Sequence, residues 1–196
     1  MLEQIPEVKE LIERIVFTEK EINGICDEQT KRALNYILSN NQDKMTMIIV
    51  KNGAIPYANM LKLKIIEALK IINYQLTTVD DDIIIKSYKG TQGGKIKVLE
   101  DIKTDIANKI VLVVEDIYDS GKTIDFLHQH ILSKKPRNIC FSIFMKRKFG
   151  YITDYLIDVG AYTQSKGWFV GFGLDYFEHY RELPYLAEIK DIYRKK

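Results

Sequence analysis

The chain reads as an α/β protein, with a mostly parallel core sheet flanked by helices on both faces. Three observations lead there. Short apolar runs rich in Ile and Val alternate with longer segments whose apolar residues recur at helical spacing. Residues 111–114 are apolar at every position, as in a strand buried on both faces. That run ends in Glu115 and Asp116, then turns through Asp119, Ser120, Gly121, Lys122 and Thr123 toward a helix. Ligands gather at such strand ends in open α/β sheets.

The elements follow in order. Leu2, Ile5, Val8, Leu11, Ile12 and Ile15 stand at helical spacing and predict a peripheral helix or arm over 1–16. A second helix is predicted over about 27–39, with Leu34, Ile37 and Leu38 inward. Residues 45–51 predict the first core strand. Ala54, Ala58, Leu61, Ile65, Leu69 and Ile72 form one helical stripe, with Pro56 in the first turn, where its missing N–H does no harm. Ile83, Ile84 and Ile85 head a strand that runs into Lys86, Ser87 and Tyr88. A glycine-rich stretch at 89–94 leads to a short strand at 96–99. The central strand at 111–115 precedes a helix over about 123–132. Pro136 precedes a strand at 139–145, and short strands near 156–159 and 169–171 close the chain.

A length of 196 residues suits one domain with a sizeable core. The net charge of +2 does not suggest electrostatic capture of nucleic acid. The two cysteines, Cys26 and Cys140, are far apart and suggest neither a disulfide framework nor a zinc site. Cys140 lies in an apolar run and is expected to be a buried free thiol. There is no apolar stretch of about 20 residues and no signal-type leader, so a soluble cytoplasmic protein is expected.

The strand–turn–helix at 111–123 carries the chemistry. The acids suit ribose hydroxyls, and the free amides of the turn suit a phosphate. A Walker A loop is excluded, although Gly121, Lys122 and Thr123 match its end. Its first glycine would have to stand at position 116, which is Asp116, and two carboxylates in that loop would repel a triphosphate. The segment is therefore read as a monophosphate cradle with an acidic ribose clamp.

This segment resembles the phosphoribosyl diphosphate (PRPP) motif of the type I phosphoribosyltransferases. It has four apolar residues, two acids, a variable pair, an acid, a small hydroxyl residue, Gly, any residue and Thr. Further segments between about 45 and 190 look like the hypoxanthine-guanine branch of that family. The resemblance implies a small hood beside the core, with 1–44 as an N-terminal helical and hood part, 45–160 as the core sheet and 161–196 as base-binding hood and C-terminal segment.

Site residues follow from the same resemblance. Lys51 and Asn52, with Gly53, match the diphosphate-binding loop, whose non-proline cis peptide would by position join Val50 and Lys51. Many members have Gly where this chain has Asn52. Ser87 and Tyr88 match the flexible loop that closes over the site. Lys146 matches the donor to the 6-oxo group of the purine, Trp168 the aromatic that stacks on the base, and Phe169 the residue whose backbone meets the purine edge. Asp175 matches a carboxylate that holds magnesium through water, and Arg181 a diphosphate grip. Glu115 and Asp116 anchor the ribose and share the metal. Ser120, Gly121, Lys122 and Thr123 hold the 5′-phosphate, and Asp119 is the acid/base at purine N7. The implied cofactor is magnesium, and the implied substrates are PRPP with hypoxanthine or guanine. A homodimer or homotetramer is implied as well.

The chain departs from the family pattern at 162–166, which is one residue longer than usual before the aromatic segment. His128, His130 and His179 receive no chemical role. A xanthine-preferring transferase and a nucleotide-sensing regulator on the same fold are the alternatives.

Overall fold

The computed structural model describes residues 5–88, 95–147 and 157–194. A short helix α1 (Val8–Leu11) leads into β1 (Ile12–Phe17), then α2 (Glu19–Asn40), β2 (Lys44–Lys51), α3 (Ile55–Ile71), β3 (Thr77–Tyr88) and β4 (Lys95–Glu100). β5 (Ile110–Tyr118), α4 (Lys122–Leu132), β6 (Asn138–Arg147), β7 (Ile157–Thr163), β8 (Phe169–Val170) and β9 (Leu186–Ile189) follow, with a 3-10 turn at Asp191–Tyr193.

Six strands form the core sheet in the order β4-β3-β2-β5-β6-β7. All neighbours are parallel except β3 and β4, which are antiparallel. β5 is therefore interior, which explains its unbroken apolar start. Leu112 and Val114 face the side covered by α2 and α3, where Ile22, Cys26, Leu61 and Ile65 pack. Val111 and Val113 face the other side, covered by Ile124, Leu127 and Ile131 of α4. Each such side chain contributes about 1.5–3 kcal/mol through its burial. Both cysteines are buried free thiols, and burial raises the Cys26 thiol to about 12.

The strand alternation slips at one place that matters. Phe144 and Met145 are consecutive in β6, yet both join the cluster under α2 and α3. Beyond the slip, Arg147 stacks on Phe169, a member of that same cluster. Lys146 points to the opposite face, over Tyr118.

A second, three-stranded antiparallel sheet has the order β1-β9-β8 and joins the two ends of the chain. Leu11, Val170, Tyr180, Ala187 and Ile189 form its small core, and the Tyr180 hydroxyl donates to the Pro6 carbonyl. This sheet corrects the helix expected over 1–16, of which Leu2 lies outside the described residues. Only Val8–Leu11 is helical. Ile12–Phe17 is extended because it pairs with β9 and because Arg14 reaches Glu188. The tertiary ladder overrides the helical spacing.

α2 begins at Glu19, earlier than expected, because Thr18 and Glu21 form a capping box. It packs on the core sheet rather than on the second sheet, so residues 5–40 serve both. The last strand of the core sheet, β7, runs longer than expected, to Thr163, while position 156 and the glycine-rich 89–94 lie outside the described residues. Among the described residues, no helix is long and apolar enough to cross a membrane.

Candidate active site

The parallel register brings the carboxyl ends of β2, β5 and β6 to one edge of the sheet. Three loops meet there. The first is the turn from β5 into α4. Its helix has Gly121 as N-cap, at φ 81°, with no side-chain cap on the first amides. An anion would meet these uncapped N–H groups at the positive end of the helix dipole. Ser120 and Lys122 are exposed at the rim, and Thr123 is partly buried. Neither Asp119 nor Ser120 caps the helix, so both side chains point to other uses.

The second loop follows β2. The cis peptide lies between Lys51 and Asn52, one bond later than expected. The ladder accounts for the shift: Val50 and Lys51 still pair with Ile83 and Ile84, so the Val50–Lys51 peptide belongs to the regular strand. The Lys51 ammonium sits 2.6 Å from Asp82, and that hydrogen bond raises its pKa. A Cβ at Gly53 would lie 1.5 Å from Oδ2 of Asp116, so only glycine lets the carboxylate pack against this loop.

The third loop, 171–181, runs beside the other two. A Cβ at Gly173 would lie 2.0 Å from the Gly53 carbonyl, and its φ of +96° also favours glycine. Arg181 donates to the Gly173 carbonyl at 2.8 Å and pairs with Asp175 at 2.7 Å and with Glu178 at 2.8 Å. Its charge also reaches Asp116.

Glu115 is only 7% exposed, and its Oε2 has no hydrogen-bond partner. Burial and the neighbouring Asp116 push its pKa up. Burial raises Asp116 too, opposed by hydrogen bonding and by Arg181. The pair therefore favours holding a proton in the free protein. Such a pair also fits magnesium, which is held by one or two carboxylates together with substrate oxygens and water. Among the described residues, no three His, Cys, Asp or Glu side chains form a ready-made metal cage. Glu115 and Asp116 would supply the first carboxylates, and Asp175 stands in the adjoining loop.

A cavity of about 230 Å³ is lined by Ile117, Asp119, Arg147, Trp168, Phe169, Leu174 and Asp175. It adjoins a more open one of about 530 Å³ that shares Asp119, Arg147 and Trp168 and reaches Ser120. Trp168 is 57% exposed and is thus no core residue. Its indole N–H donates to the Asp175 carbonyl at 2.8 Å, which fixes the ring as a wall. Phe169 is buried beneath it, with the Arg147 guanidinium 4.8 Å from its ring centre.

The structure thus brings Asp119, Ser120, Trp168, Phe169 and Asp175 around connected cavities, with Glu115, Asp116, Asn52 and Arg181 beside them. It does not bring Lys146 to the cavity wall: its ammonium lies 4.4 Å from the Tyr118 ring centre. Ser87 and Tyr88 end β3, and their backbones pair with Ile96 and Lys95 of β4. Three residues that no sequence signal had singled out also matter: Arg147, Ser165 and Glu188. Strand alternation puts Lys146 and Arg147 on opposite faces of the sheet, and the slip at Phe144–Met145 puts Arg147 on the cavity side.

A family model described as phosphoribosyl transferase domain matches residues 20–176. The chain belongs to this family. A hypoxanthine-guanine phosphoribosyltransferase of Streptococcus pyogenes is 29% identical over 188 residues, covering 94% of this chain and 97% of the relative. The enzyme of that name from Dictyostelium discoideum is 26% identical over 182 residues, covering 93% and 98%. Among solved structures, a Trypanosoma cruzi hypoxanthine phosphoribosyltransferase superposes with a TM-score of 0.82 at 25% identity, covering 96% and 97% of the two chains. A Staphylococcus aureus hypoxanthine phosphoribosyltransferase shares the fold, with a TM-score of 0.78 at 22% identity and coverage of 94% and 95%. The fold is that of the type I phosphoribosyltransferases.

Proposed function

We propose that this protein is a purine-salvage enzyme that moves the 5-phosphoribosyl group of PRPP to N9 of hypoxanthine or guanine. The products are IMP or GMP and diphosphate. One observation carries the reading: a single strand–turn–helix places Asp119 and Ser120 in the lining of cavities whose far wall is Trp168, with the acidic pair and an uncapped helix start in the same segment.

The residues divide the work. The amides of Ser120 to Thr123 hold the 5′-phosphate. Glu115 and Asp116 anchor the ribose hydroxyls, and their charge favours a cationic sugar at the transition state. Arg181 and the loop at Lys51 and Asn52 take the diphosphate, which must displace Lys51 from Asp82 and Arg181 from Asp175. Magnesium, when bound with PRPP, neutralises charge on the leaving group. Trp168 stacks on the base and Phe169 meets its edge through the backbone. Lys146 donates to the 6-oxo group; its flexible stem carries the ammonium from the Tyr118 face to the base. Adenine, with a 6-amino group, leaves that donor unpaired and is rejected. Asp119 takes the proton from purine N7 as N9 attacks, a contribution of about 10²–10⁴-fold. Ser87 and Tyr88 close over the site and exclude water. The enzyme works in the cytoplasm as a homodimer or homotetramer.

The test is product formation from PRPP and magnesium with hypoxanthine, guanine, xanthine and adenine in parallel, with Asp119→Asn as control. Turnover of 6-oxopurines but not adenine, with kcat lost in Asp119→Asn while the KM for PRPP stays within about twofold, is expected. Turnover of adenine would overturn the assignment of the base, and equal losses in kcat and PRPP binding would overturn the role of Asp119. Light scattering measures the subunit count.

A further inference from the structure

We propose that Arg147 is the positioning residue that ties the purine-binding wall to the Asp119 carboxylate, so that the base pocket and the acid/base form one unit. The inference rests on the acid/base reading of Asp119 given above and adds a residue to it.

The geometry is specific. Arg147 ends β6, and its guanidinium makes contacts on four sides. Nη1 donates to the Ser165 carbonyl at 2.5 Å, and Nη2 to the Gly167 carbonyl at 2.9 Å. Nε lies 3.2 Å from Oδ1 of Asp119. The flat face lies over the Phe169 ring. The arginine side chain is 16% exposed, against 69% for Asp119. Arg147 is thus a nearly buried cation whose charge is answered by one carboxylate on another loop.

This arrangement has a chemical consequence. The segment 164–168 lies between β7 and β8 and belongs to neither strand. A planar fork of N–H donors holds two of its carbonyls at once, which a single ammonium cannot do. The same group's Nε forms an ion pair with one oxygen of Asp119 without hydrogen-bonding it, which biases that oxygen toward Arg147 and leaves the other to meet the base. When the wall moves, Arg147 moves with it, and the Asp119 oxygen loses its reference point. Arg147 lines both cavities, but its donors and its ring face are engaged by protein groups, so its role is to set the place of the groups that bind.

Four variants separate the roles: Arg147→Met, Arg147→Lys, Asp119→Asn and the double variant Arg147→Met with Asp119→Asn. Steady-state kinetics use hypoxanthine and PRPP, with thermal melts as a folding control. Arg147→Met is expected to lower kcat about tenfold or more and to raise the KM for hypoxanthine by a similar factor, with the KM for PRPP within about twofold. Adding it to Asp119→Asn should change kcat by less than about twofold, because the partner through which it acts is already gone. Arg147→Lys keeps a cation near Asp119 but loses the fork, so kcat should recover while the hypoxanthine KM stays high.

Outcomes against the proposal are distinct from outcomes against the acid/base reading. If Asp119→Asn keeps wild-type turnover, the acid/base assignment fails, and the coupling fails with it. If Asp119→Asn is crippled and Arg147→Met lowers kcat by the same factor in both backgrounds, only the coupling fails. Equal rises in both KM values would leave Arg147 a general structural residue and overturn the proposal. Should Arg147→Met not fold, Arg147→Lys decides alone: an unchanged hypoxanthine KM overturns the proposal.

Discussion

The two walls of the site are built in opposite ways. The side proposed to take phosphate and ribose is local: Glu115, Asp116, Asp119 and the start of α4 lie within nine residues of chain and are placed by one interior strand. The side proposed to take the purine is assembled from afar. Arg147 reaches Ser165 and Gly167, 18 and 20 positions away, while Glu188 bonds Ser165, Arg14 and Arg194. The first wall is held by backbone topology, the second by side chains that clamp backbone. A cradle of the first kind tolerates substitution at its rim. A wall of the second kind fails when one clamp is removed.

The contrast can be broken most forcefully where the two walls touch. Gly173→Ala would place a methyl 2.0 Å from the Gly53 carbonyl at a φ of +96°. Backbone strain and overpacking together should cost about 4 kcal/mol. Urea unfolding should show that loss, and the PRPP KM should rise as the diphosphate loop is displaced. A fully stable, active variant would show that the loops are not in contact.

Glu188→Ala tests the clamped wall. It removes the carboxylate shared by Arg14, Arg194 and Ser165 and should cost about 2–3 kcal/mol, less than a fully buried pair because Arg14 is largely exposed. The hypoxanthine KM should rise more than the PRPP KM. Burial would raise the Glu188 pKa, but Ser165, Arg14 and Arg194 together bring it below the ordinary value. Its stabilisation is therefore complete above the ordinary glutamate pKa and is lost as pH falls through the lowered one. Acid titration of wild type and variant should converge at low pH.

Glu115→Gln has the opposite sign. Both acids of the pair have raised pKa values, so the folded protein binds more protons than the unfolded chain above the ordinary carboxylate range, and stability falls as pH rises through that window. Removing one charge should raise stability at neutral pH by about 1 kcal/mol, or about 2–4 °C in Tm, while weakening PRPP binding. A lower Tm at neutral pH would refute the shared proton. The smallest effect is expected far from both walls. Asp101 is held at about 2 despite burial, by His130 and Lys134. Asp101→Asn should cost under about 1 kcal/mol and leave both KM values unchanged.

The same contrast explains what the sequence made legible. The core sheet, the helix stripes apart from the exposed Leu38 and Ile72, and the strand–turn–helix with its acids could be read because strand burial, helix periodicity and turn residues are all local signals. β1 could not, since Leu11, Ile12 and Ile15 have helical spacing and only pairing with β9 makes them extended. Arg147 could not, since a slip at Phe144–Met145 decides which of two adjacent cations lines the cavity. The cis peptide was placed one bond too early because the reach of the β2 ladder is set by β3, not by the loop's own residues. Glu188 reads as an ordinary strand residue until Arg14, 174 positions away, comes to meet it.

That small sheet joining both ends of the chain also sets the order in which the molecule becomes competent. β1 leaves the ribosome early but has no partner until β9 follows. By the end of α4 the strand and turn proposed to grip the ribose phosphate are already synthesised, with over 50 residues to come before Leu186. At about 5–20 residues per second, that interval lasts roughly 3–10 seconds. A nascent chain therefore carries the sequence for its phosphate grip well before it can choose a base.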